Sequence, residues 1–289
     1  MTNKPSARAL LAKAVYVNKT AAEYHADKSA LGRSGLWAFH ERRRQYAAEY
    51  IDHNNPAKLV TKQMDIGSLA HIGLLEPEKF PRQYAIFPSD VLDKKGNETT
   101  NDAENFRARH EARGKIVLKQ KEFDVVAAMV DSVREKLGSW GWLKVAAKRE
   151  QVIYWTDPET GIPCKTMVDW LIESSATAFI LDFKTTGDAN PSAFKYRIED
   201  GGLWLQDAHY SDGVSLKTGK PVEFYFIVCE TKFPHVCSIQ ALEDDDRKAA
   251  TDSRRKLLTD LAACLKSDDF SEPWEHKIIK HRLKPSSYV

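Results

Sequence analysis

The chain has 289 residues, 42% hydrophobic and 29% charged, with 43 Lys and Arg against 41 Asp and Glu. That length supports a sizeable apolar core, and at a net charge of +2 any polyanion must be met by a local basic face. No stretch has the length of a membrane span, the N-terminus carries no signal-peptide core, and Cys164, Cys229, Cys237 and Cys264 form no C-x-x-C pair, which indicates neither a zinc site nor a disulfide framework. A cytoplasmic, reducing compartment and no membrane partner are expected.

The chain is read as a single domain over residues 1–289, with a basic helical part at 1–62 and the main core with a C-terminal helix and tail at 63–289. The basic part holds 11 Lys and Arg against 5 Asp and Glu. In it, Arg33-Ser34-Gly35 precedes Leu36-Trp37-Ala38-Phe39 at helical spacing, so Ser34 and Gly35 are expected at a helix N-cap. An open helix N-terminus beside basic residues suits a phosphate, while an ordinary solvated helix is the plainer alternative. Ile66 to Leu75 reads as a helix of small and apolar residues around one histidine, His71, and Pro77 marks its boundary. Residues 88–115 are polar and read as a connection. Lys121 to Leu137 has apolar residues at helical spacing, ended by Gly138-Ser139-Trp140-Gly141-Trp142.

Glu150 to Trp155 alternates as a strand, and Asp157 to Gly161 is a turn. Then come two short apolar runs, Thr166 to Ile172 and Ala178 to Thr186, joined by a Ser-rich turn, which predict a buried hairpin. Its polar content is out of place. Asp169 interrupts the first run, and Asp182 and Lys184, sharing a face at i and i+2, interrupt the second. Two carboxylates and an ammonium on an apolar sheet are costly unless paired or bound to metal. Downstream, Asn190 to Glu199 is helical, Gly201-Gly202 breaks it, and the next helix carries Gln206 and Tyr210 on one face. Pro221 to Thr231 and His235 to Leu242 predict a closing hairpin, and Asp244 to Leu265 an amphipathic helix.

The order Gly67-Ser68-Leu69-Ala70-His71, Val168-Asp169, Asp182-Phe183-Lys184, Gln206-x-x-x-Tyr210 resembles the PD-(D/E)XK exonucleases of the RecB and lambda-exonuclease type. Within them it is similar to the nuclease domain of the RecE (exodeoxyribonuclease VIII) family. Arg33-Ser34-Gly35-Leu36, Leu74-Leu75-Glu76-Pro77 and Trp155 to Lys165 carry the narrower likeness, which runs from about Ser29 to the tail. The resemblance implies an α/β fold, a central mixed β-sheet flanked by helices. It implies a magnesium-dependent (manganese possible) 5′-to-3′ exonuclease on double-stranded DNA ends that leaves 3′ single strands for recombination and repair. It also implies a homo-oligomeric ring of three or four copies and a RecT-like single-strand annealing partner. Carried over by residue, His71, Asp169, Asp182 and the Phe183 carbonyl are metal ligands, Lys184 is the catalytic lysine, and Gln206 and Tyr210 support the site. Arg33 and Ser34 fall where the family receives the 5′-phosphate. One departure is Met167, where the family often has Arg. An iron–sulfur nuclease is disfavoured by the wide spread of the cysteines. A PD-(D/E)XK endonuclease and a decayed, non-enzymatic DNA binder are the remaining alternatives.

Overall fold

The computed structural model describes residues 14–54 and 62–280, so part of the basic segment and the end of the tail lie outside it. Strands β1 (Val15–Val17), β2 (Tyr84–Ile86), β3 (Ile116–Leu118), β4 (Ala147–Thr156), β5 (Pro163–Glu173), β6 (Ala178–Thr186), β7 (Val222–Glu230) and β8 (Cys237–Gln240) alternate with helices. The α-helices of six or more residues are α1 (Ala21–Ala26), α2 (Arg33–Glu41), α3 (Lys62–Leu75), α4 (Asn101–Glu111), α5 (Gln120–Ser139), α6 (Pro191–Glu199), α7 (Leu203–Thr218) and α8 (Asp244–Ser267). A six-stranded sheet runs β1-β4-β5-β6-β7-β8, and β2 and β3 form a separate pair. Neighbours in the large sheet are antiparallel except β6 and β7. A parallel pair needs a long crossover, and here α6 and α7 supply it.

The sheet is covered on both faces. On one side Ile153, Val168, Ile180, Phe224 and Phe226 meet Leu36 of α2, Leu205 of α7 and Leu258 of α8. On the other, Trp170, Leu181, Phe183 and Ile227 meet Leu69 of α3 and Val126, Met129 and Val133 of α5. Fully buried side chains of this kind contribute roughly 1.5–3 kcal/mol each. A sheet with so many of them can hold a few buried charged groups in fixed positions.

Three details differ from the sequence reading. Helix α2 starts at Arg33 with Gly32 as its N-cap and no side-chain cap bond, so Ser34 lies inside the first turn and caps nothing. The polar stretch 88–115 contains α4, capped by Thr100, because Ala103 packs with Phe87 and Val117 in a small core of its own. The basic part contains a strand, β1, which pairs with β4. Three residues are too few to show a strand period. The hairpin β5–β6, the strand pair β7–β8 and helices α3, α5, α6, α7 and α8 follow the reading.

The sheet has one interruption. Val168 belongs to the first core, Trp170 to the second and Leu171 to the first again, whereas unbroken alternation would put Val168 and Trp170 on one face. The β4–β5 register sets Glu150 across from Asp169, between the pairs Arg149 with Trp170 and Gln151 with Val168. Glu150 has φ +49°, the left-handed region that non-glycine residues avoid. On the other flank the β5–β6 pairing reaches Trp170 with Leu181 and goes no further, while β6 stays paired with β7 to Thr186. The sheet therefore forks at Asp169.

Candidate metal centre and adjoining anion cavity

The fork holds the charged residues. Past it, the Phe183 N–H no longer reaches a β5 carbonyl, and Asp169 Oδ2 accepts it at 2.7 Å. Asp182 and Lys184, on one face of β6, form an ion pair. The other oxygen of Asp182 accepts from Gln206 Nε2 at 2.6 Å, so α7 reaches the centre from the face of the sheet it covers. Asp182 is 1% exposed and Asp169 7%.

From the opposite side α3 brings His71. A Cβ on Gly67 would lie 3.2 Å from Thr185 Oγ1, so the small residue lets the helix lie close on β6. His71 Nε2 then meets the Phe183 carbonyl at 3.1 Å, and Nδ1 lies 3.8 Å from Asp169 Oδ2. The expected ligands His71, Asp169, Asp182 and the Phe183 carbonyl are thus brought together with Lys184 and Gln206. Tyr210, one turn after Gln206, is half-buried with its hydroxyl near Asp182, Asp169 and Arg33, and desolvation pushes that hydroxyl well above its ordinary pKa.

A further carboxylate enters from β4. His71, Glu150 and Asp169 each offer one ligand atom, all within 4.8 Å of one another. Asp182 lies outside that trio, with one oxygen bonded by Gln206 and the other ion-paired with Lys184. Nothing in the sequence marks Glu150 except a charge at a strand start; its place follows from the cross-strand register and its unusual φ. Strain of that kind costs on the order of 1–3 kcal/mol and persists where the surroundings impose it. Glu150→Gly should therefore stabilise the metal-free protein, by removing both the strain and a buried carboxylate, while weakening divalent-ion binding by roughly 10–100-fold. Chemical unfolding and metal titration of one variant check both halves.

The electrostatics fit a divalent cation. Burial pushes Asp169 up to about 6, with Lys184 opposing. Burial likewise raises Asp182 to about 6, with Lys184 opposing and Asp169 adding to the rise. Glu150 rises to about 7 through burial and the charges of Asp169 and Glu76. His71 falls to about 4, from burial and the nearby Lys184, so its imidazole is neutral at pH 7 and available as a ligand. Two carboxylates converging with a neutral imidazole, and the Asp182 carboxylate beside them, form an oxygen-rich donor set suited to magnesium or manganese.

Beside the centre lies a cavity of about 80 Å³, lined among others by Arg33, Ser34, Lys165 and Tyr210. It contains the open first turn of α2, whose free N–H groups favour anions. Arg33 is partly committed: Nε donates to the Gly202 carbonyl at 3.2 Å and the guanidinium also bonds the Gly201 carbonyl. Lys165 is 5% exposed and donates to the carbonyls of Tyr24 and Asp27. Burial lowers its pKa to about 8, although Asp27 pulls it back up. Arg33 and Ser34 are therefore outside the metal cluster, and Tyr210 links the two places.

The forked sheet, the Asp-x-Lys pair on its central strand and the helical histidine define a PD-(D/E)XK-type core. The chain belongs to the family described as PDDEXK-like domain of unknown function (DUF3799), whose profile matches residues 33–276. Among solved structures it is similar to a protein from Eubacterium rectale named "Putative exonuclease", at 12% identity and a TM-score of 0.57, covering 94% of this chain and 98% of that one. At that identity the likeness is one of fold. A second, protein VC1899 from Vibrio cholerae, aligns at 11% identity and a TM-score of 0.23, over 90% of this chain and 60% of that one. No curated protein matches the sequence. Among the described residues no helix is long and apolar enough to cross a membrane.

Proposed function

We propose that this chain is a divalent-metal-dependent nuclease that degrades double-stranded DNA from its ends in the 5′-to-3′ direction, leaving 3′ single strands for recombination by annealing. The observation that carries the reading is the adjacency of two sites: a carboxylate–histidine–lysine centre and a small anion cavity sharing Tyr210 with it. A cavity of about 80 Å³ has room for a single phosphate, which suits a terminal group, while an internal phosphodiester is presented at the neighbouring centre. The neighbour named as an exonuclease points the same way.

His71, Glu150 and Asp169 would hold the cation, with Asp182 recruited if it gives up Gln206 or Lys184. When bound, the cation supplies Lewis-acid polarisation of a phosphoryl oxygen. Lys184 offers its ammonium to the attacking water and to the phosphoryl oxygens where negative charge grows. Asp182 holds Lys184 in place, and Gln206 holds Asp182. Water attacks phosphorus in line, the bond to O3′ breaks, and a nucleotide carrying a 5′-phosphate leaves. The next end then presents a fresh 5′-phosphate for the Arg33–Ser34–Lys165 cavity. A ring of three or four copies would keep the DNA threaded between such steps, and a RecT-like annealing protein would receive the exposed strand.

The direct test is linear duplex labelled at one 5′ or one 3′ end, beside a covalently closed circle, with and without magnesium. Early loss of the 5′ label, an untouched circle and dependence on the ion are expected. Cutting of the circle would make the protein an endonuclease, and binding with no cutting a decayed DNA binder. A 5′-phosphate end should be digested about tenfold faster than a 5′-hydroxyl end, the size of one lost charge-assisted hydrogen bond. Ser34→Ala should narrow that ratio; equal rates on the two ends would remove the cavity's assigned role.

A further inference from the structure

Arg254, on α8, is 1% exposed and takes no part in the chemistry described above. Its guanidinium lies 2.9 Å from Asp212 Oδ2 and 3.9 Å from Asp157 Oδ2, and its Nε donates to His209 Nδ1 at 3.2 Å. Since Nδ1 accepts, the proton of His209 sits on Nε2, which donates to the Lys165 carbonyl at 3.2 Å. Burial and the adjacent Arg254 hold His209 down to about 3, so it is neutral. A line of directional bonds thus runs from α8 through α7 to β5.

Helix α7 needs such a device. A Cβ on Gly213 would lie 2.6 Å from the Trp155 ring, so the α7 backbone rides directly on β4. Apolar contact of that kind is non-directional, so the rotation of the helix about its axis is set by polar bonds from α8: Arg247, which gives Asp207 two bonds of 3.0 Å, and Arg254, which bonds His209. That rotation decides whether Gln206, three residues before His209, meets Asp182. The Gln206–Asp182 bond is 2.6 Å long, and misplacement by about 1 Å at such a centre costs on the order of 10²-fold in rate.

We propose that Arg254 is a positioning residue: through His209 it fixes the rotation of α7 and thereby aims Gln206 at Asp182. The inference rests on the hydrolytic reading of the site. Its test is a double-mutant cycle between Arg254→Lys, which keeps the buried charge but loses the Nε donor, and Gln206→Leu. On linear duplex, Arg254→Lys should lower kcat about tenfold or more with KM for DNA ends changed less than twofold. In the Gln206→Leu background it should cost less than a further twofold. An unchanged kcat, or losses that simply multiply, would overturn the proposal.

The same cycle is read in Mn2+ affinity by calorimetry, where Arg254→Lys should shift binding in the same direction and by the same factor as Gln206→Leu. That arm works without turnover. Hydrolysis absent from the wild type would sink the nuclease reading, whereas Mn2+ effects that multiply would sink the positioning role. If Arg254→Lys fails to fold, His209→Gln serves. It keeps a donor for the Lys165 carbonyl and removes only the Nδ1 acceptor, and the same outcomes decide.

Discussion

Lys184→Ala should reduce digestion of linear duplex by about 10³-fold while the protein stays folded. The lysine is the cation paired with Asp182 at the fork, and electrostatic stabilisation of developing phosphoryl charge by one such group accounts for roughly 10²–10³ in rate. Loss of the ion pair also frees Asp182 to turn from the position that Gln206 sets. Folding should survive because Asp182 and Asp169, already raised to about 6, take up a proton rather than remain as buried, unpaired charges. Asp182→Asn should abolish activity equally. Circular dichroism beside the digestion assay separates the two effects, and a Lys184→Ala protein with more than a tenth of wild-type activity would take the lysine out of the mechanism.

Divalent cations should stabilise the protein strongly at pH 8 and weakly at pH 5. Asp169, Asp182 and Glu150 all have folded-state pKa values above their ordinary carboxylate range. Between about pH 4 and 7 these three carboxylates hold more protons in the folded state than in the unfolded chain, so their contribution to metal-free stability falls as pH rises through that window, while His71 and His209, both held below their ordinary value, contribute in the opposite direction. A cation binds the ionised form and reverses the loss. At a hundred times its dissociation constant it adds about 2.7 kcal/mol, worth roughly 4–5 °C in Tm for a domain of this size. Below pH 5 protons occupy the same oxygens and the gain should shrink. His71, lowered to about 4, is neutral in the folded protein above about pH 5, so between pH 5 and 8 the carboxylates set the pH dependence of cation binding. Calorimetry near pH 6.5 in buffers of different ionisation enthalpy should register proton release on Mn2+ binding. A melting temperature indifferent to Mn2+ at pH 8 would mean that the trio His71, Glu150 and Asp169 holds no metal.

The sequence by itself determined the elements that carry their own period or break a strong one. Asp182 and Lys184 were legible because two charges in an otherwise apolar strand, two residues apart, must share a face. Asp169 was legible because the preceding run is as apolar and the turn between them is short. His71, Gln206 and Tyr210 became site residues only through their order along the chain, as members of a resemblance; composition and spacing alone would have left His71 a core histidine. The long helices α5, α7 and α8 announced themselves by amphipathic spacing or by flanking glycines.

What only the tertiary structure decided are the facts that depend on register and on distant neighbours. Glu150 joins the centre because β4 and β5 align it opposite Asp169 and its backbone turns there, and a lone acidic residue at a strand start carries no trace of either. Helix α4 forms in a polar stretch because Phe87 and Val117, on either side of it in sequence, close a small core over Ala103. Lys165 and Arg33 share one cavity because α2 docks beside β5, with Leu31 bonded to β5 through Pro163 and Lys165. A buried charge is tolerated only where partners converge on it, and convergence is a property of the packed sheet and helices. For that reason the Asp-x-Lys pair could be read from sequence while Glu150 and the Arg254–His209 line could not.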